Sequence, residues 1–286
     1  MGSSLRRKRR TRKLLATFRP AFSDDPRTPF EYILAIVGSS KTGEQLEKEK
    51  QAAAQAAVRY VRNHMLLGLG TGSTASFFLA LLAEAVRQGE LKINAVASSL
   101  HTAARAKELG ISISEPRRRA RLDLTVDGAD EIAPDLSLIK GAGGALLREK
   151  ILARASQHFV VIADSSKRVA QLGRRRVPLE VTPFATPWVM DEVGELGGSP
   201  LWRMDQLRPD RPFLTDQQNY VVDCDFGLIA DPRGLAMRLK EISGVVEHGL
   251  FLGLAHAALI AEGEEIMVLR PRKPPVPLSQ CDLILD

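Results

Sequence analysis

The feature that most constrains this chain is a regular alternation of helix-type and strand-type segments beginning near residue 43. Such alternation is typical of an α/β domain, in which helices connect the strands of a parallel sheet. The hydrophobic pattern predicts helices over residues 44–63, 73–88, 102–109 and 145–156, and strands over residues 65–67, 93–97, 122–126, 137–139 and 159–163. We therefore expect an α/β fold, with a Rossmann-like parallel sheet that carries helices on both faces.

The order of predicted elements changes after residue 173. Strands over residues 178–184, 201–204, 219–225 and 245–251 and helices over residues 188–196 and 232–242 follow in the order β-α-β-β-α-β. This order is that of the ferredoxin-like motif. We expect a small ferredoxin-like α/β domain over residues 174–250, and a Rossmann-like catalytic domain over residues 44–173 plus 251–286. Within the latter, residues 257–270 are predicted to form a hairpin and the proline-rich residues 271–286 to be peripheral.

The net charge of +6 is confined to one end of the chain. Residues 1–44 hold ten Lys or Arg and four Asp or Glu, whereas the remaining 242 residues hold thirty of each sign. We expect residues 1–43 to be a basic, solvated and disordered leader, and we predict neither a nucleic-acid interface nor a membrane span. Because the only two cysteines, Cys224 and Cys281, are far apart in the sequence, we expect no disulfide framework and a cytoplasmic location.

A glycine-rich turn follows the first predicted strand and opens a helix. It contains Thr71, Gly72, Ser73 and Thr74. Glycines let a backbone approach an anion, hydroxyl groups donate hydrogen bonds, and a helix N-terminus favours negative charge. The turn lacks the Lys of a Walker loop and the spacing of a dinucleotide fingerprint, so a phosphate monoester fits it better than a nucleotide. A tight turn with a Ser or Thr helix cap explains the same residues equally well.

Three further predicted strands end in polar loops, at the edge where ligands of open α/β sheets bind. The first loop, after residue 126, consists of Asp127, Gly128, Ala129, Asp130 and Glu131. The second, after residue 139, begins with Lys140, Gly141, Ala142 and Gly143, and the third, after residue 163, ends at Lys167. Solvated carboxylates and surface lysines are the ordinary explanation of such residues. Beside a phosphate-type turn, they are also candidates to bind and protonate a sugar.

Glu149 stands out within the predicted helix over residues 145–156. Its neighbours at three and four positions are apolar, namely Ala145, Leu146, Leu152 and Ala153, so no side chain of this helix pairs with it. A carboxylate held against apolar surface has a raised pKa. Glu149 is therefore a candidate general base working near neutral pH.

Five segments of the chain are similar to those of one enzyme family. The segments GLGTGSTA, LTVDGADEI, LIKGAGGALLREKI, FVVIADSSK and GVVEHGLF occur in this order over about residues 44–270, and together they resemble ribose-5-phosphate isomerase of type A. The resemblance implies interconversion of ribose 5-phosphate and ribulose 5-phosphate in the non-oxidative pentose phosphate pathway. It also implies that no metal and no organic cofactor is needed, and that the protein is a homodimer or homotetramer.

The resemblance assigns roles to the residues singled out above. It implies that Glu149 is the catalytic base. The chemistry of the implied reaction makes Lys140 and the following amides candidates to stabilise the enediolate, and Asp127 and Asp130 candidates to assist ring opening. The implied substrate-binding residues are Thr71, Gly72, Ser73, Thr74, Asp127, Gly128, Ala129, Asp130, Lys140, Gly141, Ala142, Gly143 and Lys167. Lys50 matches a further phosphate-contacting Lys only loosely. His101 departs from the family pattern and is expected to be a loop residue.

Two alternatives remain open from the sequence. One is a regulator that senses a sugar phosphate, although such a protein has no need of an unpaired Glu149. The other is an amino-sugar-phosphate isomerase or deaminase, or a CoA transferase of similar fold that uses a Glu as nucleophile. The two lysines at strand ends and the DGADE loop favour the pentose phosphate isomerase.

Overall fold

The structure is a computed structural model that describes residues 41–281. Nearly all of the basic leader predicted over residues 1–43 lies outside the described residues, as do residues 282–286. The helices are α1 (Gly43–Val58), α2 (Ser73–Arg87), α3 (Leu100–Glu108), α4 (Leu146–Ala155), α5 (Thr186–Glu195) and α6 (Pro232–Glu241). The strands are β1 (Leu66–Leu69), β2 (Asn94–Ala97), β3 (Leu122–Asp127), β4 (Glu131–Ile132), β5 (Leu138–Ile139), β6 (Ser156–Asp164), β7 (Val177–Val181), β8 (Ser199–Trp202), β9 (Tyr220–Asp225), β10 (Val245–His248), β11 (Leu250–Phe251), β12 (Ala257–Glu262), β13 (Glu265–Arg270) and β14 (Lys273–Pro277).

The central sheet has seven strands in the order β14-β13-β12-β6-β3-β1-β2. Strands β2, β1, β3, β6 and β12 run parallel, while β13 and β14 are antiparallel additions at one edge. Alternate residues of β6 enter different cores: Val160 and Ile162 pack with α1 and α2, whereas Phe159 and Val161 join the core on the opposite face. The predicted parallel sheet with helices on both faces is confirmed.

The chain reverses its direction of travel across this sheet at β1. It moves from β1 outward to β2 and then returns to the other side of β1 to form β3. The carboxyl ends of β1 and β3 therefore flank the switch point, where ligands of open α/β sheets bind. The turn that contains Gly72 follows β1, and β3 ends at Asp127.

Helix α1 begins and ends for local reasons. Thr42 caps its N-terminus in a capping box with Gln45. The helix ends at Val58 rather than at the predicted residue 63, because the following amides bond three residues back, from Tyr60 to Ala57 and from Val61 to Val58.

A second sheet contains the strands of the smaller domain. Its four strands lie in the order β10-β7-β9-β8, and all neighbours are antiparallel. With α5 and α6 this is the interleaved β-α-β-β-α-β arrangement of the ferredoxin-like motif, which confirms the predicted fold. Residues from Thr42 onward form one compact unit, so the exact domain boundaries stay a prediction.

A third sheet, which the sequence analysis did not predict, joins β11, β5 and β4. The predicted strand over residues 137–139 is therefore not part of the parallel sheet, and the predicted strand over residues 245–251 is broken into β10 and β11 at Gly249. The break requires glycine, because a Cβ on Gly249 would lie 2.3 Å from the carbonyl oxygen of Lys140. The amide of Lys140 donates to the Gly249 carbonyl at 2.9 Å, so β5 is held by the β10–β11 junction.

The last part of the described chain extends the central sheet. The predicted hairpin forms β12 and β13. The proline-rich tail is more than a peripheral extension, because Lys273–Pro277 pairs with β13 as the edge strand β14, the position in a sheet that tolerates proline. None of the described helices is long and apolar enough to cross a membrane.

Candidate active site

Three buried charged side chains meet near the carboxyl end of β3. Lys140 Nζ lies 3.0 Å from Asp127 Oδ2 and 3.3 Å from Glu149 Oε2, and it donates to the carbonyl of Gly128 at 2.6 Å. Asp127, Lys140 and Glu149 are each at most 5% exposed. Asp127 comes from β3, Lys140 from the residue after β5, and Glu149 from the first turn of α4. Three separate segments thus converge on one charged cluster.

The electrostatics of this cluster bring the pKa of Glu149 close to neutral pH. Burial and the nearby charge of Asp127 raise the pKa of Glu149 to about 8, against the opposing effect of Lys140. Burial also raises the pKa of Asp127, although Lys140 opposes it. Burial works against the Lys140 ammonium, but the two carboxylates hold its pKa above the ordinary value. The site therefore joins a permanent cation to a carboxylate that exchanges its proton near neutral pH.

The buried oxygen of Glu149, Oε2, faces Lys140. Among the described residues Glu149 Oε2 accepts no hydrogen bond of good geometry, although it is fully buried. Its charged neighbour is Lys140 Nζ at 3.3 Å, so this oxygen forms an ion pair rather than a regular hydrogen bond. The helix supplies no partner, as the sequence predicted, and the only cation near it, Lys140, comes from a different segment.

The turn after β1 packs directly on Asp127. Asp127 Oδ1 accepts from the amide of Thr71 at 3.1 Å and from the amide of Gly128 at 2.7 Å. A Cβ on Gly70 would lie 2.1 Å from the same oxygen, so only glycine allows this approach. The turn and the charged cluster therefore form one continuous site.

The N-terminus of α2 is open to an anion. Gly72 occupies the N-cap position with φ +115°, and no side chain caps the helix. The Ser or Thr cap predicted in the alternative explanation of this turn is therefore wrong, although the tight turn itself is present. Gly72 and Ser73 are exposed, while Thr74 is buried. The first-turn amides of an uncapped helix attract phosphate oxygens.

A hydroxyl cluster that the sequence analysis missed anchors this turn. Thr71 Oγ1 lies 2.7 Å from Ser98 Oγ, 2.9 Å from Ser99 Oγ and 3.0 Å from Thr102 Oγ1. Ser98, Ser99 and Thr102 are buried and follow β2, the next strand end along the sheet. Their position at a fifth strand end, after the predicted strand over residues 93–97, was the signal that could have identified them.

The loop after β5 is braced from two sides. Asp130 Oδ2 accepts from the amide of Ala142 at 3.0 Å, and Arg203 of the small domain donates to the carbonyls of Gly141 and Ala142 at 2.8 and 3.0 Å. Gly143 is exposed, and it borders, with Ala142, a cavity of about 680 Å³ whose other walls belong to the small domain. Glu149 does not line this cavity, so the charged cluster rather than the cavity marks the candidate site.

Other predicted residues lie farther from the cluster. Lys167 ends the one-turn helix Ser165–Lys167 after β6, at the same edge of the sheet as Asp127, and is half-buried. Lys50 Nζ lies 2.6 Å from Glu47 in the same helix. His101 is an exposed residue of α3, so its assignment to a loop is wrong.

Ala129 and Glu131, which also belong to the polar segment over residues 127–131, have different surroundings. Ala129 is half-buried beside Gly128. Glu131 is buried and accepts from the amides of Gly173 and Arg175, so it holds the connection to the small domain rather than facing the charged cluster. Within residues 41–281, no three His, Cys, Asp or Glu side chains are grouped to hold a metal ion.

A switch-point site that joins a buried carboxylate–lysine cluster to an uncapped helix N-terminus belongs to an α/β enzyme acting on a small anionic substrate. The family described as ribose 5-phosphate isomerase A (phosphoriboisomerase A) matches residues 94–265. Ribose-5-phosphate isomerase A of Roseiflexus sp. (strain RS-1) is 49% identical over 222 residues, which cover 77% of this chain and 94% of that protein. The chain belongs to the ribose-5-phosphate isomerase A family, as its sequence segments predicted.

Solved structures agree with this assignment. Ribose 5-phosphate isomerase from Plasmodium falciparum matches with a TM-score of 0.76 and 33% identity, over 80% of this chain and 100% of that one. A D-ribose-5-phosphate isomerase in complex with phospho-erythronic acid matches with a TM-score of 0.76 and 35% identity, over 79% of this chain and 99% of that one. The fold of the described residues is thus that of known isomerases.

Proposed function

We propose that Glu149 is the base of the reaction that family membership gives this chain, the interconversion of ribose 5-phosphate and ribulose 5-phosphate. The observation that carries the proposal is a buried carboxylate that lies 3.3 Å from the Lys140 ammonium and has a pKa raised to about 8. Aldose–ketose conversion moves a proton between C2 and C1 through an enediolate. One group that accepts the proton and returns it on the same face is sufficient, and Glu149 has the pKa for both steps.

Lys140 is the proposed stabiliser of the enediolate. An ammonium has three donors, of which one goes to Asp127 and one to the carbonyl of Gly128, while the third lies on the side of Glu149. A substrate oxygen beside the base would receive this third donor. A fixed cation at the position where negative charge develops lowers the barrier without reorganisation.

Asp127 and Asp130 are the proposed groups that assist opening of the furanose ring. Asp127 is held by two amides and by Lys140, so its position is rigid. Asp130 is half-buried and uses Oδ2 to hold the Ala142 amide, and its second oxygen is available to a sugar hydroxyl. Ala129, Gly141 and Gly143 would contact the sugar through their backbone amides, while Gly128 would shape the site through its bonds to Asp127 and Lys140.

The substrate phosphate is proposed to bind at the N-terminus of α2. The open amides of Ser73 and Thr74, the exposed hydroxyl group of Ser73 and the helix dipole all favour a dianion there. Thr71 would shape this turn through its bonds to Asp127 and to the hydroxyl groups after β2. Lys167 would add a charge-assisted contact from the neighbouring strand end. Phosphate binding remote from C1 and C2 would hold the reacting carbons in register.

Further parts of the proposal concern the protein in its cell. We propose that it acts in the non-oxidative pentose phosphate pathway of the cytoplasm, with no nucleic-acid partner. We also propose a homodimer or homotetramer, because the rings of Phe184 and Trp188 contact each other, with centroids 5.5 Å apart, while 85% and 59% exposed, and association would cover this apolar surface. Light scattering during size-exclusion chromatography would test the oligomeric state, and a monomer at micromolar concentration would contradict the proposal.

The domain boundaries at 173/174 and 250/251 remain part of the proposal.

The direct test is an isomerase assay on purified, metal-stripped protein. We expect conversion of ribose 5-phosphate, with competitive inhibition by phospho-erythronic acid. Glucosamine 6-phosphate and an acyl-CoA serve as the comparison substrates. Turnover of either comparison substrate without turnover of ribose 5-phosphate would reject the proposed reaction.

A further inference from the structure

Lys150 is a buried cation that the proposed reaction does not use. It follows Glu149 in α4 and is 2% exposed. Its Nζ donates to the carbonyl of His248 at 2.5 Å and to Glu247 Oε1 at 2.9 Å, and lies 4.8 Å from the ring centroid of Phe251. An ammonium without water is stable only with such partners. All of them belong to the short segment 247–251, which comprises the end of β10, Gly249 and the strand β11.

The same segment holds Lys140 in place. The carbonyl of Gly249 accepts from the amide of Lys140 at 2.9 Å, and β11 pairs with β5 directly before Lys140. The ring of Phe251 also lies 5.6 Å from Lys140 Nζ, so the two buried ammonium groups contact one aromatic ring. Gly249 itself is fixed sterically against Lys140 and Pro178.

Segment 247–251 is therefore bonded both to the strand that presents Lys140 and to the helix that presents Glu149. We propose that Lys150 is a positioning residue, which ties α4 to this segment and thereby sets the separation of Glu149 from Lys140. The proposal rests on the proposed function, because a fixed separation matters only if these two groups act together on a substrate.

The charges around Lys150 are consistent with an ion pair between Lys150 and Glu247 that links α4 to segment 247–251. Burial lowers the pKa of Lys150 to about 8 against the pull of Glu247, and burial with the Lys150 charge lowers the pKa of His248 to about 4. His248 is thus neutral at physiological pH, and Glu247 is the anion that balances Lys150. The other charged groups around Lys150 are Arg154 on the same helix and Lys240 on α6.

The test uses Lys150→Met, which keeps most of the side-chain volume but removes the ammonium. We expect kcat for ribose 5-phosphate to fall by about 10- to 100-fold, the usual cost of a displacement of the order of 1 Å at a reacting group. KM should stay within about twofold, because the proposed phosphate contacts do not involve α4. Lys240→Met is the matched control, since Lys240 also contacts Glu247, at 3.7 Å, but is half-exposed and lies outside α4. It should keep the wild-type kcat.

A second variant separates positioning from stability. Lys150→Met alone leaves Glu247 without its buried partner and should lower Tm, whereas Lys150→Met with Glu247→Gln removes both charges and should recover much of the Tm. A positioning role predicts that kcat of the double variant stays low, measured well below its Tm. Wild-type kcat in the double variant, or a loss expressed mainly in KM, would overturn the inference. An inactive wild-type protein would instead overturn the proposed function.

Discussion

Replacement of Glu149 by Gln removes the proposed base and changes almost nothing else in shape. The amide fills the same buried space next to Lys140 but cannot accept the C2 proton. General acid–base groups contribute about 10²–10⁴-fold to turnover, so kcat for ribose 5-phosphate should fall by at least that range. KM should change little, because the proposed phosphate site at α2 is untouched. A stopped or continuous assay of ribulose 5-phosphate formation measures both constants.

The same variant has a second, independent signature in stability. The folded state holds a proton on Glu149 between the ordinary pKa of 4.5 and the raised value of about 8, whereas the unfolded chain has released it. Stability of the wild type therefore falls as pH rises through this window, because the unfolded state binds fewer protons than the folded state. Gln does not titrate. The Tm of Glu149→Gln relative to wild type should thus increase from pH 5 to pH 8.

Glu180→Gln is the matched control for this experiment. Glu180 is also fully buried with a raised pKa, caused by burial, but it lies in β7 and accepts hydrogen bonds from Thr215 and Asn219. Its variant should keep kcat. Wild-type turnover in Glu149→Gln, or equal losses in both variants, would refute the reasoning.

Three further substitutions and one treatment test other parts of the site. Lys140→Met should lower kcat by about 10²–10³-fold, the usual cost of losing a group that stabilises a developing oxyanion, and a change confined to KM would contradict this role. Gly70→Ala should lower both Tm and kcat, because its Cβ would lie 2.1 Å from Asp127 Oδ1; a wild-type melting curve would show that the approach is not essential. Lys167→Ala should raise KM about tenfold or more at constant kcat, as expected for one charge-assisted phosphate contact, and an unchanged KM would argue against contact. Treatment with EDTA should leave the activity unchanged, and loss of activity that added metal restores would contradict the metal-free proposal.

Much of the fold was predictable because its signals are local. Alternating apolar segments predicted the parallel strands, and the β-α-β-β-α-β order predicted the smaller domain. The misassigned strand over residues 137–139 has only two paired residues, and its partners β4 and β11 are equally short. The three-stranded sheet depends on the contact of Gly249 with Lys140, more than a hundred residues apart, and no local pattern reports such a pairing.

The candidate site was predictable to the extent that its residues stand at strand ends or interrupt a helical pattern. Glu149 was found in this way, because its helical neighbours are apolar. Lys150 was missed, since a lysine beside an arginine and a glutamate is typical of a solvated helix face, and its burial depends on segment 247–251. The hydroxyl group of Ser98 was missed for a related reason, because serine at a strand end is common and only its contact with Thr71 distinguishes it.

The most direct test of the central claim follows the proton itself. Ribose 5-phosphate is incubated in ²H₂O with wild type, Glu149→Gln or Glu180→Gln, and deuterium at C2 of the recovered ribose 5-phosphate is measured by NMR. The account predicts deuterium uptake with wild type and Glu180→Gln, because the proton held by Glu149 exchanges with solvent, and no uptake above the uncatalysed rate with Glu149→Gln. Deuterium uptake by Glu149→Gln at the wild-type rate would show that another group carries the proton.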